Sequence, residues 1–296
     1  MTVVLFFLLT LATQAWGGGL ALILSESGGA YGDFAGTLEE TLSGSNWNIV
    51  STTVADAPHT SNTPSDLVVA VGSEALRKAL SRTDSPPIIA ALLPRQNYER
   101  ILSEYRRPSR ITAIYLDQPA ARQAAFMRQL FPDQKRFGLL SSSETRNQLA
   151  QYRQAFSNAG LVLDVEDADT DKALLPSLNA VLDRSAALLA LPDNTIYRRN
   201  NIKAILITAF RHQRPIIGYS SAFVTAGALA ALYTTPQQLA RQTAELIISN
   251  GTNLPPPSGP NLFAVAINPN VAQALGLKIA DEAAIRRALL ADRESR

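Results

Sequence analysis

The sequence predicts an α/β protein whose sheets are mostly parallel and covered by helices on both faces. Three observations carry this. Apolar runs recur and end in small polar residues: "LALILSES", "DLVVAVGSEAL", "RFGLLSSSE", "ALLALPDNT" and "PIIGYSS". Each is followed by a helix-like stretch, the alternation that parallel strands with helical crossovers require. The length, 296 residues, suits two domains of about 100–150 residues each.

The elements follow in order. Leu20–Leu24 reads as a buried strand, and Phe34, Leu38 and Leu42 then repeat at the spacing of one helix face. Trp47–Val54 is a second strand by its Val, Ile and Thr content. "ADAPHTSNTP" is too broken by Pro and Ser for a helix and reads as a loop. Leu67–Val71 is a third strand, followed by a helix with Leu76 and Leu80. "PPIIAALL" is a fourth, followed by a helix bearing Tyr98 and Leu102.

"RRPSRITAIYLDQP" changes character and marks the exit from a first α/β unit. A helix with Ala120, Ala124, Met127 and Phe131 follows, then the strand "RFGLL". The next helix aligns Leu149, Tyr152 and Phe156 and stops at Gly160, which suits a left-handed cap. Strand "LVLDV", helix Leu174–Leu182, strand "AALLALP", helix Ile202–Phe210 and strand "PIIG" complete a second unit. Val224–Tyr233 reads as a Gly/Ala-rich strand. Thr235-Pro236-Gln237-Gln238 is a capping box with Pro at the first helical position, and that helix ends at Asn250-Gly251. "NLPPPSGP" is a stiff connector. "LFAVAIN" is the last strand, Asn268-Pro269 opens a helix closing at Gly276, and a charged amphipathic helix follows Asp281.

The N-terminus reads as an export signal over residues 1–17. "VVLFFLLTLA" is too short to span a bilayer comfortably, and small residues at Ala15 and Gly17 offer cleavage spacing. No Lys or Arg precedes it, so an uncleaved anchor or a misplaced start stays open. With no Cys there is neither a lipid-modified N-terminal Cys nor a disulfide, and a soluble periplasmic protein is expected.

Composition excludes several classes. An apolar content of 46% excludes disorder, and a net charge of +2 with mixed signs gives no basic stripe for nucleic acid. "SESGGAYG" has the wrong spacing for a dinucleotide fingerprint, and "VGSEA" is not a nucleophile elbow. His59 lies in a polar loop and His212 at a helix end, without metal-ligand spacing. The expectation is a protein that holds a small molecule without transforming it, with no cofactor and no metal.

Several stretches carry a family resemblance: "FPDQKRFGLL", "LPDNTIY", "RPIIGYSSAFVTAGALA", "QQLARQTAELI" and "FAVAINPNVAQALGLKI". Together they resemble the substrate-binding proteins of an ABC-transporter family, some of whose members bind aromatic or other amino acids. The resemblance covers roughly Ile111 to Ile279 and is weaker over residues 20–100. It implies a two-lobed type I periplasmic-binding fold with a ligand held in the cleft. Lobe one is then 18–110 with 224–262 and lobe two 111–223. Residues 263–296 hold the final strand and C-terminal helices, open to crossing back to lobe two. The partners implied are a small-molecule ligand and an inner-membrane ABC permease, or, as the alternative, a membrane signalling protein that reads the closed form. A monomer is expected.

Strand ends are where open α/β sheets hold ligands. Lobe one offers Ser25 and Glu26 after its first strand, and Gly72 and Ser73 after its third. Gly72 permits close approach of backbone, and Ser73 sits at a helix N-terminus that favours an anion; the plainer reading of Ser73 is a cap. Lobe two offers Ser141 and Ser142, then Asp193, Asn194 and Thr195, then Tyr219 and Ser220. The plainer reading of "DNT" is an Asx turn with a cap. Relatives often carry an acidic residue after "PIIG", suited to an α-ammonium group. This chain has none, so Glu26 or Asp193 would have to supply the charge. Tyr31, Tyr219 and Phe223 suit an apolar ligand or the core. Arg95 suits an anionic ligand or solvent.

Overall fold

The computed structural model describes residues 17–57, 64–82, 85–105 and 110–294. The export signal, the cleavage positions before Gly17 and His59 lie outside the described residues.

The first sheet is entirely parallel, in the order β2-β1-β3-β4-β5. Its elements in chain order are β1 (Gly18–Leu24), α1 (Gly29–Leu42), β2 (Trp47–Val54), β3 (Leu67–Val71), α2 (Ser73–Leu80), β4 (Ile88–Ala91), α3 (Arg95–Glu104) and β5 (Ile111–Ile114). Every residue of β3 and β4 is buried. Alternate side chains serve the two faces, as the two-residue strand period dictates. Leu20, Leu22, Val69 and Val71 pack with Phe34 and Leu38 of α1. Ile23, Val68 and Ala70 pack on the other face with Leu76 of α2 and Tyr98 and Ile101 of α3.

The second unit runs α4 (Ala120–Leu130), β6 (Arg136–Ser141), α5 (Leu149–Asn158), β7 (Val162–Asp167), α6 (Asp171–Arg184), β8 (Leu188–Leu189), α7 (Arg199–Arg211), β9 (Ile216–Gly218), α8 (Ser221–Ala226) and β10 (Ala230–Tyr233). Then come α9 (Pro236–Asn250), β11 (Ala264–Ile267), α10 (Pro269–Ala274) and α11 (Glu282–Glu294). Its sheet has the order β11-β10-β9-β8-β6-β7 and is parallel except for β10 against β11. Phe126, Phe137 and Phe156 anchor the core of one face, and Leu178, Val181, Ile205 and Phe223 that of the other.

Two strands change sides relative to the sequence reading. β5, expected to open lobe two, pairs in parallel with β4 in the first sheet. Local periodicity cannot name a strand's partner, and β5 leaves the lobe only at Tyr115. β10, expected with lobe one, belongs to the second sheet between β9 and β11. The expected strand Val224–Tyr233 is a helix followed by a shorter strand. Ser220 caps α8 by accepting from Phe223 N–H at 3.2 Å, and Gly227, at φ +126°, turns the chain into β10. Of the 224–262 segment, α9 packs against α1 on the first lobe. β11 lies in the second sheet, and α11 packs on α4 and β11.

The chain therefore crosses between lobes at Tyr115–Pro119, at Thr234 and at residues 258–263, and these crossings are tied together. The Gln118 amide donates to the buried Thr234 hydroxyl at 2.6 Å, and Thr234 donates to the Leu262 carbonyl at 2.9 Å. Arg122 bonds Gln118 Oε1 at 2.7 Å and the Pro260 carbonyl at 2.9 Å. The capping box at Thr235 and Gln238 fixes where α9 starts immediately after the middle crossing.

Candidate functional site in the interlobe cleft

The lobe-one side is built around Gly72. Its φ of +93° lies where L side chains rarely go, and a Cβ there would stand 2.5 Å from Ser25 Oγ and 2.7 Å from Tyr31 Cε1. The missing side chain lets Ser25 reach the start of α2, where its Oγ accepts from Ala75 N–H at 3.1 Å. Ser25 is buried and acts on the helix, while Glu26 is exposed beside it. Burial, then the Glu26 charge, pushes the Tyr31 phenol above its ordinary value, against a hydrogen bond from Ser25. Ser73 opens α2, and Asn97 of α3 lies 3.5 Å from its Oγ.

The lobe-two side is a buried polar clasp. Asp193 accepts from Ser142 Oγ at 2.7 Å, Thr145 Oγ1 at 2.8 Å, Thr195 N–H at 3.0 Å and Ile196 N–H at 3.1 Å. Ser141 Oγ lies 3.3 Å from Thr145 Oγ1. Four donors occupy the Asp193 carboxylate, so its charge is engaged inside lobe two, as an Asx turn implies. The side chains of Asn194 and Thr195 make no hydrogen bond among the described residues, although the Asn194 N–H is held by Glu144 at 2.9 Å. Tyr197, Tyr219 and Phe223 form an aromatic cluster with centroids 5.4–6.0 Å apart. The Tyr197 hydroxyl is buried without a partner among the described residues, and desolvation raises it well above the ordinary phenol value. Ser220 is spent on the α8 cap.

The structure gathers Ser25, Gly72 and Ser73 into one group and Ser141, Ser142 and Asp193 into another. No hydrogen bond joins the groups among the described residues. What bridges the lobes is α3, through residues that carry no local sequence signal. Gln96 donates to the Pro192 carbonyl at 2.5 Å and stands 3.4 Å from Glu144 Oε2, and Gln148 reaches Gln96 Oε1 at 3.4 Å. Asn147 donates to Glu99 at 3.1 Å. α3 follows β4, whereas Glu144 and Pro192 follow β6 and β8. The carboxyl ends of the two sheets thus meet across one interlobe space.

The sequence profile described as "ABC transporter substrate binding protein" matches residues 47–288. The chain belongs to this family. No curated protein matches it. Among solved structures it is similar to a substrate-binding protein with adhesive properties from Clostridium difficile, solved in a ligand-free, open form. There the TM-score is 0.67 at 15% identity, covering 89% of this chain and 96% of that one. It is also similar to an ABC domain in complex with L-Trp from Streptococcus pneumonia, with a TM-score of 0.60 at 17% identity, covering 91% and 98%. A periplasmic ribose ABC transporter from Conexibacter woesei gives 0.52 at 12% identity, covering 88% and 95%. The fold of this ABC substrate-binding protein is therefore the type I periplasmic-binding fold. One architecture holds tryptophan in one neighbour and is named for ribose in another, so the fold does not choose the solute.

Proposed function

We propose that the protein captures a small organic solute, an amino acid or a related compound, between its lobes and delivers it to an inner-membrane ABC permease. The observation that carries this reading is the bridge from Gln96 to Pro192 and Glu144, which brings the carboxyl ends of both sheets to one space. A solute there touches both lobes only when they approach, so binding favours the closed arrangement. The side chains with capacity to spare are Ser73 on one side and Asn194, Thr195 and Tyr219 on the other. Ser25, Ser141, Ser142, Asp193 and Ser220 hold the loops that carry them, and Gly72 gives the backbone its approach. Glu26 lies exposed at the rim.

Family members normally work in the periplasm or outside the cell, and we place this chain in the periplasm, starting near Gly17 or Gly18. N-terminal sequencing of periplasmic protein tests that placement; Met1 retained on cytoplasmic protein contradicts it. The binding reading is tested by releasing the solute that co-purifies with the protein and identifying it by mass spectrometry. A stoichiometric small molecule that rebinds supports the reading, and a protein that carries none and binds none of the cell's small-molecule extract overturns it.

A further inference from the structure

On the hinge side of the Gln96 bridge lies a second space, a cavity of about 240 Å³. At roughly 30 Å³ per water it has room for on the order of eight waters, or one short organic chain. It is a half-open cavity bounded by the crossing segment after β5, the start of α3, the start of α5 and the returning segment at Pro257–Gly259. Asp117, Tyr115, Tyr152, Gln148, Arg95 and Ser258 carry its chemistry.

Its charges are unbalanced. Asp117 Oδ2 accepts the backbone N–H of Arg95 at 2.6 Å, but no side-chain cation pairs with Asp117 among the described residues. The nearest guanidinium, that of Arg95, is taken by Glu99 at 2.6 Å and lies against the Tyr115 ring, 6.0 Å from its centroid. Tyr152 is 4% exposed, and its hydroxyl makes no hydrogen bond among the described residues although it lines the cavity. The Gln148 amide is turned to Gln96, and its side-chain carbonyl accepts no hydrogen bond among the described residues. The Arg95 guanidinium lines the same cavity and its charge favours the Asp117 carboxylate, but it is paired with Glu99 and not with Asp117, so a buried carboxylate beside aromatic faces keeps room for a second cation.

We propose that this hinge-side cavity is a subsite for a protonated amine, with Asp117 as its counter-ion and Gln148, Tyr152 and Tyr115 as its walls. The inference rests on the solute-binding reading, since the amine would be enclosed as part of a captured solute. Burial already raises the Asp117 carboxyl to about 6, so a bound ammonium would lower it again.

The test uses the whole mature protein and n-butylamine as probe at pH 7.5, with n-butanol as its neutral isostere, followed by NMR. The amine is expected to saturate at millimolar concentration, to shift resonances of Tyr115, Gln148 and Tyr152, and to lower the Asp117 carboxyl titration; butanol should do neither. Asp117→Asn keeps an acceptor for Arg95 N–H and should weaken the amine tenfold or more, and Tyr152→Phe by a few-fold. Asp133→Asn, at an exposed carboxylate away from the cavity, should leave the amine unaffected. Equal binding of butanol, undiminished binding by Asp117→Asn, no binding to the wild type, or shifts confined to the Ser73 and Asn194 loops would each overturn the subsite. Those outcomes leave the solute-binding reading standing if the co-purified solute still rebinds and closes the lobes.

Discussion

Gln96, at the head of α3, donates its side-chain amide to the Pro192 carbonyl 2.5 Å away and thereby joins the carboxyl end of the first sheet to that of the second. Gln96 is 8% exposed, which its place between the lobes explains. Removing this bridge should weaken the closed arrangement without harming either lobe. A hydrogen bond of this kind contributes about 1 kcal/mol. Gln96→Ala should therefore weaken the co-purified solute by roughly fivefold in calorimetry, with little change in the unfolding midpoint.

Asp193 should behave differently. Its carboxylate satisfies two buried hydroxyls and two backbone N–H groups at once. Asp193→Ala leaves these donors unpartnered and should cost about 3–5 kcal/mol of stability. Urea unfolding measures this, and Asp193→Asn should fall between Ala and the wild type.

Gly72→Ala should also destabilise, by more than about 1 kcal/mol. The added Cβ meets Ser25 Oγ, and φ of +93° is strained for Ala. Thermal unfolding reads the loss. Solute affinity should fall too, because Ser25 can no longer hold the start of α2.

The pH dependence assigned to Asp117 has a definite sign. Burial raises its carboxyl from 3.8 to about 6. Between those values the native protein binds more protons than the unfolded chain. This group's contribution to stability thus falls as pH rises through that interval and stays lowered above it. The charged and phenolic groups around it are Arg95 and Glu99 of α3, Tyr115 of the crossing segment and Tyr152 of α5. Asp117→Asn should therefore melt higher than the wild type at pH 7.5, and the difference should vanish near pH 4.

Most of the fold was legible because its parallel strands are buried on both faces. β3 and β4 read as unbroken apolar runs, and Thr235, Gln238 and Gly160 carry the terminus signals that the structure uses. The sheet partners of β5 and β10 were not legible, since pairing is a tertiary property and both strands have four residues. The run Val224–Tyr233 misled because Ala and Gly show no period; the Ser220 cap and Gly227 decide it. The loops that follow β1, β3, β6 and β8 were readable from the ends of those strands. Gln96, Glu144 and Asp117 were not, because a Gln or Asp beside a helix start looks the same whether it faces solvent or the opposite lobe. Nor does sequence reveal that Asp193 would be consumed by Ser142 and Thr145, which stand 51 and 48 residues away.

The central claim is that both lobes close on one solute. Small-angle scattering of the protein stripped of its co-purified solute, then resupplied with it to saturation, tests this most directly. The radius of gyration should fall modestly on resupply. An unchanged profile, with saturation confirmed by calorimetry on the same sample, would contradict it.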